Sequence, residues 1–350
     1  SLYFEIQAYD ANNDPLTYKF KLDGQEISNN NKWTYYPGFF DAGLHIVEAW
    51  VFDNKGGYDF VVWNVTVINV LIPTSCNLYF NPPSPITYDE QPFIVYCSCN
   101  NSEANVELWR DGVNVTNEIG INVTLAAKPT GYLYVCNVSE TENYANASNQ
   151  SLYIINKADP RAHLALNGYE YDLTVIYGET TNATGWVEIN QATQNAVLLR
   201  NGIVIAIGSP ASEIAVLPAG LWNYTYYYPE SQNYTSAIIT RLLNVNKAQT
   251  LLNLIAIPGW DVVYGNSVNI TCSANNNQVL IELWRNNTKV VDGYGIIYDY
   301  IDAYELAAGS YVYICNTTGN QNYTSASINN TLIINKAQTL LSLNALPSWN

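Results

Sequence analysis

The sequence predicts an all-β chain organised as a tandem array of β-sandwiches, and three observations predict it. Short runs of alternating apolar and polar residues recur at roughly ten-residue spacing with polar turns between them, the pattern of half-buried strands. A set of landmarks returns with a period of about ninety residues, since Lys157, Lys247 and Lys336 each stand in an Asn-Lys-Ala triplet. Residues 246–252 and 335–341 both read Asn-Lys-Ala-Gln-Thr-Leu-Leu. Cysteines, finally, sit at strand positions that a sandwich core buries.

Residues 1–70 form a first module. Phe4, Ile6 and Ala8 alternate into a polar turn from Asp10 to Pro15, followed by Tyr18, Phe20 and Leu22-Asp23-Gly24. Trp33 to Tyr35 and then Leu44 to Phe52 read as further strands, ending in the turn Asp53-Asn-Lys-Gly56-Gly57. Three repeats follow, at 71–157, 158–247 and 248–337. Each has an early tyrosine (Tyr88, Tyr177, Tyr264) and a middle triplet (Leu108-Trp109-Arg110, Leu198-Leu199-Arg200, Leu283-Trp284-Arg285). Each also has a late motif, at Asn143-Tyr144-Ala145, Asn233-Tyr234-Thr235 and Asn322-Tyr323-Thr324. Residues 338–350 begin a further repeat. With Ser1 opening directly into a strand-like run, the expectation is that the chain is part of a longer one.

The last full repeat is the most explicit. A side-chain period of two puts Val268, Ile270 and Cys272 on one strand face and Asn269 and Thr271 on the other. Trp284, twelve residues on, is expected as the core tryptophan of the third strand, and Tyr313, two before Cys315, as a tyrosine corner bonding back to the chain. That order is the immunoglobulin-like one, and it places Cys272 and Cys315 to bridge the two sheets; two free buried thiols are the alternative. Aligning Trp109 with Trp284 puts Cys97 on Cys272 and Cys136 on Cys315, with Cys76 and Cys99 as the remaining pair. Four cysteines allow three pairings, so sequence alone leaves the connectivity open. In the repeat at 158–247 the cysteine positions fall on Val187 and Tyr226 and the tryptophan position on Leu199. That repeat must cohere by apolar packing alone.

The three repeats resemble bacterial Ig-like group 3 domains of large secreted and surface proteins in bacteria and archaea. The resemblance rests on Tyr264-Gly265-Asn-Ser267-Val268, Leu306-Ala-Ala-Gly309-Ser-Tyr311, the late Asn-Tyr motifs and the closing Asn-Lys-Ala. It implies stalks, adhesins and surface-layer components, with no family-wide catalytic residue to carry over. Residues 1–70 resemble PKD and cadherin-like Ig-type modules in the Asp10 to Tyr18 turn, the Gly43 to Val47 strand and the Val51 to Gly56 turn. They depart from PKD modules in reading Tyr-Lys-Phe-Lys-Leu-Asp-Gly where those have Trp-Asp-Phe-Gly-Asp-Gly.

Composition narrows the function. A formal net charge of −16 argues against nucleic acid and anionic lipid as partners, yet charged residues are only 13% of the chain. No run of eighteen apolar residues could span a membrane. Fifteen Asn-x-Ser/Thr sequons make N-linked glycans the expected polar covering: Asn64, Asn100, Asn114, Asn122, Asn137, Asn146, Asn149, Asn182, Asn223, Asn233, Asn269, Asn286, Asn316, Asn322 and Asn329. Asn137, Asn269 and Asn316 are in phase with inward cysteines and so are expected to face outward. Asp10, Asp14 and Asp53 could converge from two turns on calcium, as the acidic turns of cadherin-like modules do; ordinary turn chemistry is the alternative. His45 and His163 are the two histidines and lie in different modules, so neither a zinc site nor a serine triad is expected. The expectation is a non-catalytic structural segment of a glycosylated extracellular cell-surface protein, archaeal by this reading. It would serve as a surface-layer, filament or stalk subunit that self-associates or meets other surface proteins. The alternative is an adhesin stalk or a carbohydrate-binding array.

Overall fold

The computed structural model describes residues 1–89, 91–189 and 195–343. Its described residues are all β, apart from turns and one 3-10 segment at Thr116–Glu118, and they form a tandem series of immunoglobulin-like sandwiches. The chain divides into two compact units, Ser1–Ala158 and Asp159–Asn350.

In the first unit, six strands make the opening sandwich: β1 (Leu2–Glu5), β2 (Thr17–Leu22), β3 (Gln25–Ser28), β4 (Lys32–Tyr35), β5 (Gly43–Phe52) and β6 (Tyr58–Val67). β1 pairs with β4, and the facing sheet runs β3-β2-β5-β6. Phe20, Val47 and Ala49 are its core, with Phe4, Leu22, Trp33 and Val65 packed around them. The second sandwich has β7 (Cys76–Asn81), β8 (Ile86–Thr87), β9 (Phe93–Cys99), β10 (Glu107–Arg110), β11 (Val113–Asn114), β12 (Asn122–Val123), β13 (Lys128–Val138) and β14 (Ala147–Asn156). Its sheets are β12-β9-β7 and β11-β10-β13-β14-β8.

The second unit repeats that plan twice. Its first sandwich is β15 (Ala162–Leu166), β16 (Leu173–Ile176), β17 (Thr181–Val187), β18 (Val197–Arg200), β19 (Ile203–Ile207), β20 (Ala211–Ala215), β21 (Gly220–Tyr228) and β22 (Ala237–Asn246). The next is β23 (Leu252–Ile257), β24 (Asp261–Val263), β25 (Val268–Ala274), β26 (Leu280–Arg285), β27 (Thr288–Tyr294), β28 (Ile296–Ile301), β29 (Gly309–Thr317) and β30 (Ala326–Asn335). Sheets run β15-β17-β20 and β16-β22-β21-β18-β19, then β23-β25-β28 and β24-β30-β29-β26-β27. In each repeat a short early strand lies parallel to the last one, as β8 on β14, β16 on β22 and β24 on β30. Residues 338–343 belong to no strand, and the rest of the expected further repeat, 344–350, lies outside the described residues.

One local device recurs in all four sandwiches. Asp23-Gly24, Asp111-Gly112, Asn201-Gly202 and Asn286-Asn287 all have positive φ at both positions, the two-residue turn that matches strand twist. The leading side chain then accepts a hydrogen bond from the backbone N–H of the adjoining strand: Ile46 to Asp23 at 2.7 Å, Leu133 to Asp111 at 3.0 Å, Asn223 to Asn201 at 2.8 Å and Val312 to Asn286 at 2.8 Å. Asp and Asn are therefore needed there for both backbone conformation and side-chain oxygen. The recurrence relates the first module to the other three.

The register corrects two sequence expectations. Leu108 lies opposite Cys136, and Leu283 opposite Cys315, so the leucine of each triplet faces the core with the cysteine and is fully buried. Trp109 and Trp284, one residue on, face outward and are partly exposed, each donating its indole N–H to a neighbouring carboxylate, Glu107 and Glu282 respectively, at 3.1 Å. Neither is a core tryptophan. The other correction concerns Tyr134 and Tyr313, whose hydroxyls meet charged side chains rather than closing on the backbone.

Candidate functional site

The residues singled out in the sequence fall into three groups: covalent and ionic ties inside the sandwiches, the seams between them, and the glycosylation sequons. Cys97 on β9 is bonded to Cys136 on β13 across the sheets, with Cα atoms 5.6 Å apart, and Cys272 on β25 to Cys315 on β29 at 5.8 Å. Cys76 and Cys99 are direct cross-strand partners on β7 and β9 and are also bonded. The sulfurs of Cys76, Cys99 and Cys136 lie close enough together to suit a metal, but all are in disulfides and offer no thiolate.

Where the repeat without cysteines would need its bridge, Tyr226 takes the place. Its ring is fully buried and its hydroxyl donates to the Gly208 carbonyl at 2.9 Å. The ring lies on the backbone of Gly185, so closely that a Cβ there would come within 2.2 Å of Cδ2.

A second tie was not legible in the sequence. The arginine ending each Leu-x-Arg triplet alternates back into the sandwich and stands opposite a buried tyrosine: Arg110 with Tyr134, Arg200 with Tyr224, Arg285 with Tyr313. A carboxylate completes each set. Arg110 Nη1 donates to Glu118 at 2.5 Å and to the Tyr134 hydroxyl at 3.3 Å. Arg200 Nη1 donates to Glu213 at 2.6 Å, and Tyr224 donates to the other oxygen of Glu213 at 2.6 Å. Arg285 Nη1 reaches Asp299 Oδ2 at 3.3 Å, and Tyr313 donates to that oxygen at 2.7 Å. Burial, then the adjacent carboxylate, drives the Tyr224 and Tyr313 phenols well above their ordinary range. These hydroxyls are held as donors, which suits a structural tie.

The three carboxylates of the expected calcium site are each engaged by the chain itself. Asp10 Oδ1 accepts the N–H groups of Asn12 and Asp14 at 2.8 and 3.0 Å. Asp53 Oδ1 accepts those of Lys55 and Gly57, both at 2.8 Å, which hold its carboxyl below the usual range. Asp14 is paired with Lys55 Nζ at 2.5 Å, so a cation of the chain itself already stands between the two turns. Among the described residues, no group of three acidic or histidine ligands lies close enough to hold an ion. His45 is fixed by Asp23 at 2.7 Å and by the Asp41 carbonyl at 2.8 Å, and the Asp23 contact raises its pKa. His163 stacks on Trp186 and bridges Glu170 and Glu188.

Two of the late Asn-Tyr motifs, at 143–145 and 322–324, stand at seams between sandwiches of one unit. In the first unit, Ile72 donates to the Asn143 carbonyl at 2.7 Å and accepts from Ala145 at 3.0 Å, while Phe39 of the opening module meets the Tyr144 ring edge-on. In the second unit, Ala248 donates to the Asn322 carbonyl at 2.9 Å and accepts from Thr324 at 3.0 Å. Thr250, itself buried, donates its hydroxyl to the Thr324 carbonyl at 2.6 Å. The same motif reaches the preceding sandwich: Asn322 Oδ1 accepts the Ala219 N–H at 3.0 Å, and Tyr323 packs edge-on against Tyr177. Backbone pairing thus anchors each motif within its own sandwich, and its side chains make the contacts to the sandwich before it.

The sequons divide by environment. Asn64, Asn100, Asn114, Asn122, Asn146, Asn149, Asn182, Asn223, Asn286 and Asn329 are exposed, while Asn137, Asn233, Asn269, Asn316 and Asn322 are partly covered. No helix among the described residues is long and apolar enough to cross a membrane.

No protein-family model matches the chain, and no curated protein does. Among solved structures it is similar to the titin Z1Z2 domains in complex with telethonin, with 16% identity over 52% of this chain and 100% of that one, at a TM-score of 0.32. It is similar also to the titin I9–I11 tandem, with 12% identity over 72% and 96% of the respective chains, at 0.25. Fibronectin(III)-like modules of Clostridium thermocellum CbhA share 10% identity over 52% and 99%, at 0.23. At such scores the likenesses bear no weight on function, and the architecture rests on the strand pairing described above.

Proposed function

We propose that this chain is a structural segment of a glycosylated extracellular protein of the cell surface, part of a surface-layer, filament or stalk subunit, and that it is non-catalytic. The observation that carries this reading is the seam. Ala248 is gripped by two backbone hydrogen bonds within the sandwich it opens, and the gripping motif also contacts the sandwich before it. Joints of that kind hold consecutive modules in fixed relation, which suits a spacer or lattice element. The tertiary ties support it too, because three disulfides belong to an oxidising compartment. On this reading the modules are 1–70, of PKD or cadherin-like type, and 71–157, 158–247 and 248–337, of the bacterial Ig-like group 3 type, in an archaeal surface protein.

Self-association is part of the proposal. β6 is an edge strand exposed along almost its whole length, with Tyr58, Phe60, Val61, Val62 and Trp63 all open to solvent. Exposed apolar rows of that kind mark contact surfaces. Electron microscopy of material stripped gently from cells, with and without a calcium chelator, tests the reading. Ordered lattices or filaments that survive chelation are expected. Dispersed single molecules that bind a saccharide would move the function to the adhesin alternative.

A further inference from the structure

We infer that Asn269 carries an N-linked glycan whose first sugars lie on the outer face of the β23-β25-β28 sheet, against Ile257 and Tyr300. This deepens the glycosylated-surface reading and rests on it. Asn269 stands on the central strand of that sheet, directly between Ile257 on β23 and Tyr300 on β28. One row along the same face, Thr271, the hydroxyl residue of the sequon, lies between Ile255 and Tyr298. The sequon is therefore set in the middle of an apolar face, with Ile257 62%, Tyr298 63% and Tyr300 58% exposed.

The asparagine itself is unusual. Its Oδ1 is buried and has no hydrogen-bond partner, a state that few native polar atoms occupy and that calls for an explanation. Among the described residues six buried side-chain atoms are left this way, and three are the Oδ1 atoms of sequon asparagines, Asn137, Asn269 and Asn316. All three stand on central strands. With Oδ1 turned in and unpaired, Nδ2 is the atom left for modification. Asn137 is flanked by Glu107 and Ser148, and Asn316 by Glu282 and Ser327, so their surroundings are polar. Asn269 alone of the three has an aliphatic and an aromatic neighbour, which suit a pyranose: the ring's C–H face packs on the electron-rich face of tyrosine while its hydroxyls stay in water. Three other sequons have side chains engaged elsewhere. Asn286 Oδ1 closes the hairpin turn on Val312, Asn322 Oδ1 caps Ala219 across the seam, and Asn149 Nδ2 donates to the Cys76 carbonyl.

The attachment is a substitution at the anomeric carbon of a lipid-linked oligosaccharide diphosphate. Nδ2 forms the new C–N bond as the C1–O bond breaks, the lipid diphosphate leaves, and one Nδ2 proton is lost to base. The seated glycan would shield the β28 edge and its tyrosines, which otherwise present an open strand to other chains.

Site-resolved glycopeptide mass spectrometry on the protein from its own cells is the first test, followed by hydroxyl-radical footprinting of that protein and of Asn269→Gln. Asn269 should be modified in most molecules, Asn286 and Asn322 bare, and Tyr298 and Tyr300 oxidised several-fold more slowly in the native protein than in the variant. Sugar at other sequons with Asn269 bare overturns this inference and leaves the glycosylated-surface reading standing. No sugar at any sequon overturns both. Sugar on Asn269 with equal tyrosine reactivity in the two proteins overturns the seating on the sheet.

Discussion

Replacing Arg285 by methionine tests the ionic tie in the last sandwich. Asp299 is 9% exposed and would be left with the Tyr313 hydroxyl as its remaining partner. Breaking a buried ion pair from one side costs about 3–5 kcal/mol, because the orphaned charge stays desolvated. The Arg285 side chain is 26% exposed, so water already screens part of the interaction, and the cost falls to about 2–3 kcal/mol. A chain of several sandwiches does not unfold in one step, so the assay must be local. Hydrogen–deuterium exchange of peptides from β26 and β29 should quicken by about 30- to 150-fold, the change in opening equilibrium that such a loss produces. Peptides from β10, β13, β18 and β21, which carry their own intact sets, serve as internal controls. A double variant, Arg285→Met with Asp299→Leu, removes both charges and should recover most of the protection. Acceleration below about threefold, or a double variant worse than the single one, would refute the assignment of this set as a stabilising tie.

Three other outcomes are expected. Gly185→Ala drives a Cβ into the immobile Tyr226 ring and should destabilise the cysteine-free sandwich by about 1–3 kcal/mol, seen as faster exchange confined to β17 and β21. Replacing Cys272 and Cys315 by alanine reopens a loop whose ends are 43 residues apart, a loss of about 4 kcal/mol in the chain-entropy picture, seen as faster hydrogen–deuterium exchange of peptides from β25 and β29. His45 has its pKa raised by Asp23, so its contribution is complete below its ordinary value near 6.5 and fades as pH rises through the higher folded value. The difference in hydrogen-exchange protection of β2 and β5 peptides between wild type and His45→Gln, corrected for intrinsic exchange at each pH, should accordingly be largest in mild acid and shrink toward alkaline pH; a difference that grows with pH contradicts the pairing.

What could be read in advance was whatever local pattern determines. Strand alternation and the inward placement of Cys97, Cys136, Cys272 and Cys315 follow from side-chain phase, and the repeat period from recurring motifs, whereas the pairing among Cys76, Cys97, Cys99 and Cys136 is decided by the fold. The tryptophans were misplaced because spacing from Cys272 fits either of two adjacent positions, and phase across the sheet decides between them. The clue lay in Leu198-Leu199-Arg200: the residues shared with the other triplets are the first leucine and the arginine, both facing in, while the middle position is free to vary. The carboxylates of the arginine–tyrosine sets were not legible, because they lie 8, 13 and 14 residues beyond their arginines and come from the 3-10 segment, β20 and β28 respectively. A partner with no fixed spacing leaves no motif. Asp10, Asp14 and Asp53 show a different limit: in sequence, acidic turns look alike whether their oxygens face an ion or their own backbone.

The short strands that run parallel to the last strand of each repeat acquire a meaning once the ends of the chain are pulled apart. In β24 and β30 the incoming and outgoing segments point the same way and share three residue pairs, in β16 and β22 four, in β8 and β14 two. Tension then drags the two strands past one another along their axes, loading all of their hydrogen bonds together instead of peeling them singly. Among the three repeats, the one without a disulfide has the longest of these patches. Should one of the bridged sandwiches yield, the residues between its cysteines stay looped; for Cys272 and Cys315 that withholds about 150 Å of extension at the reach of a stretched chain. The array would thus resist force most evenly where it lacks a covalent stop, and give way least where it has one.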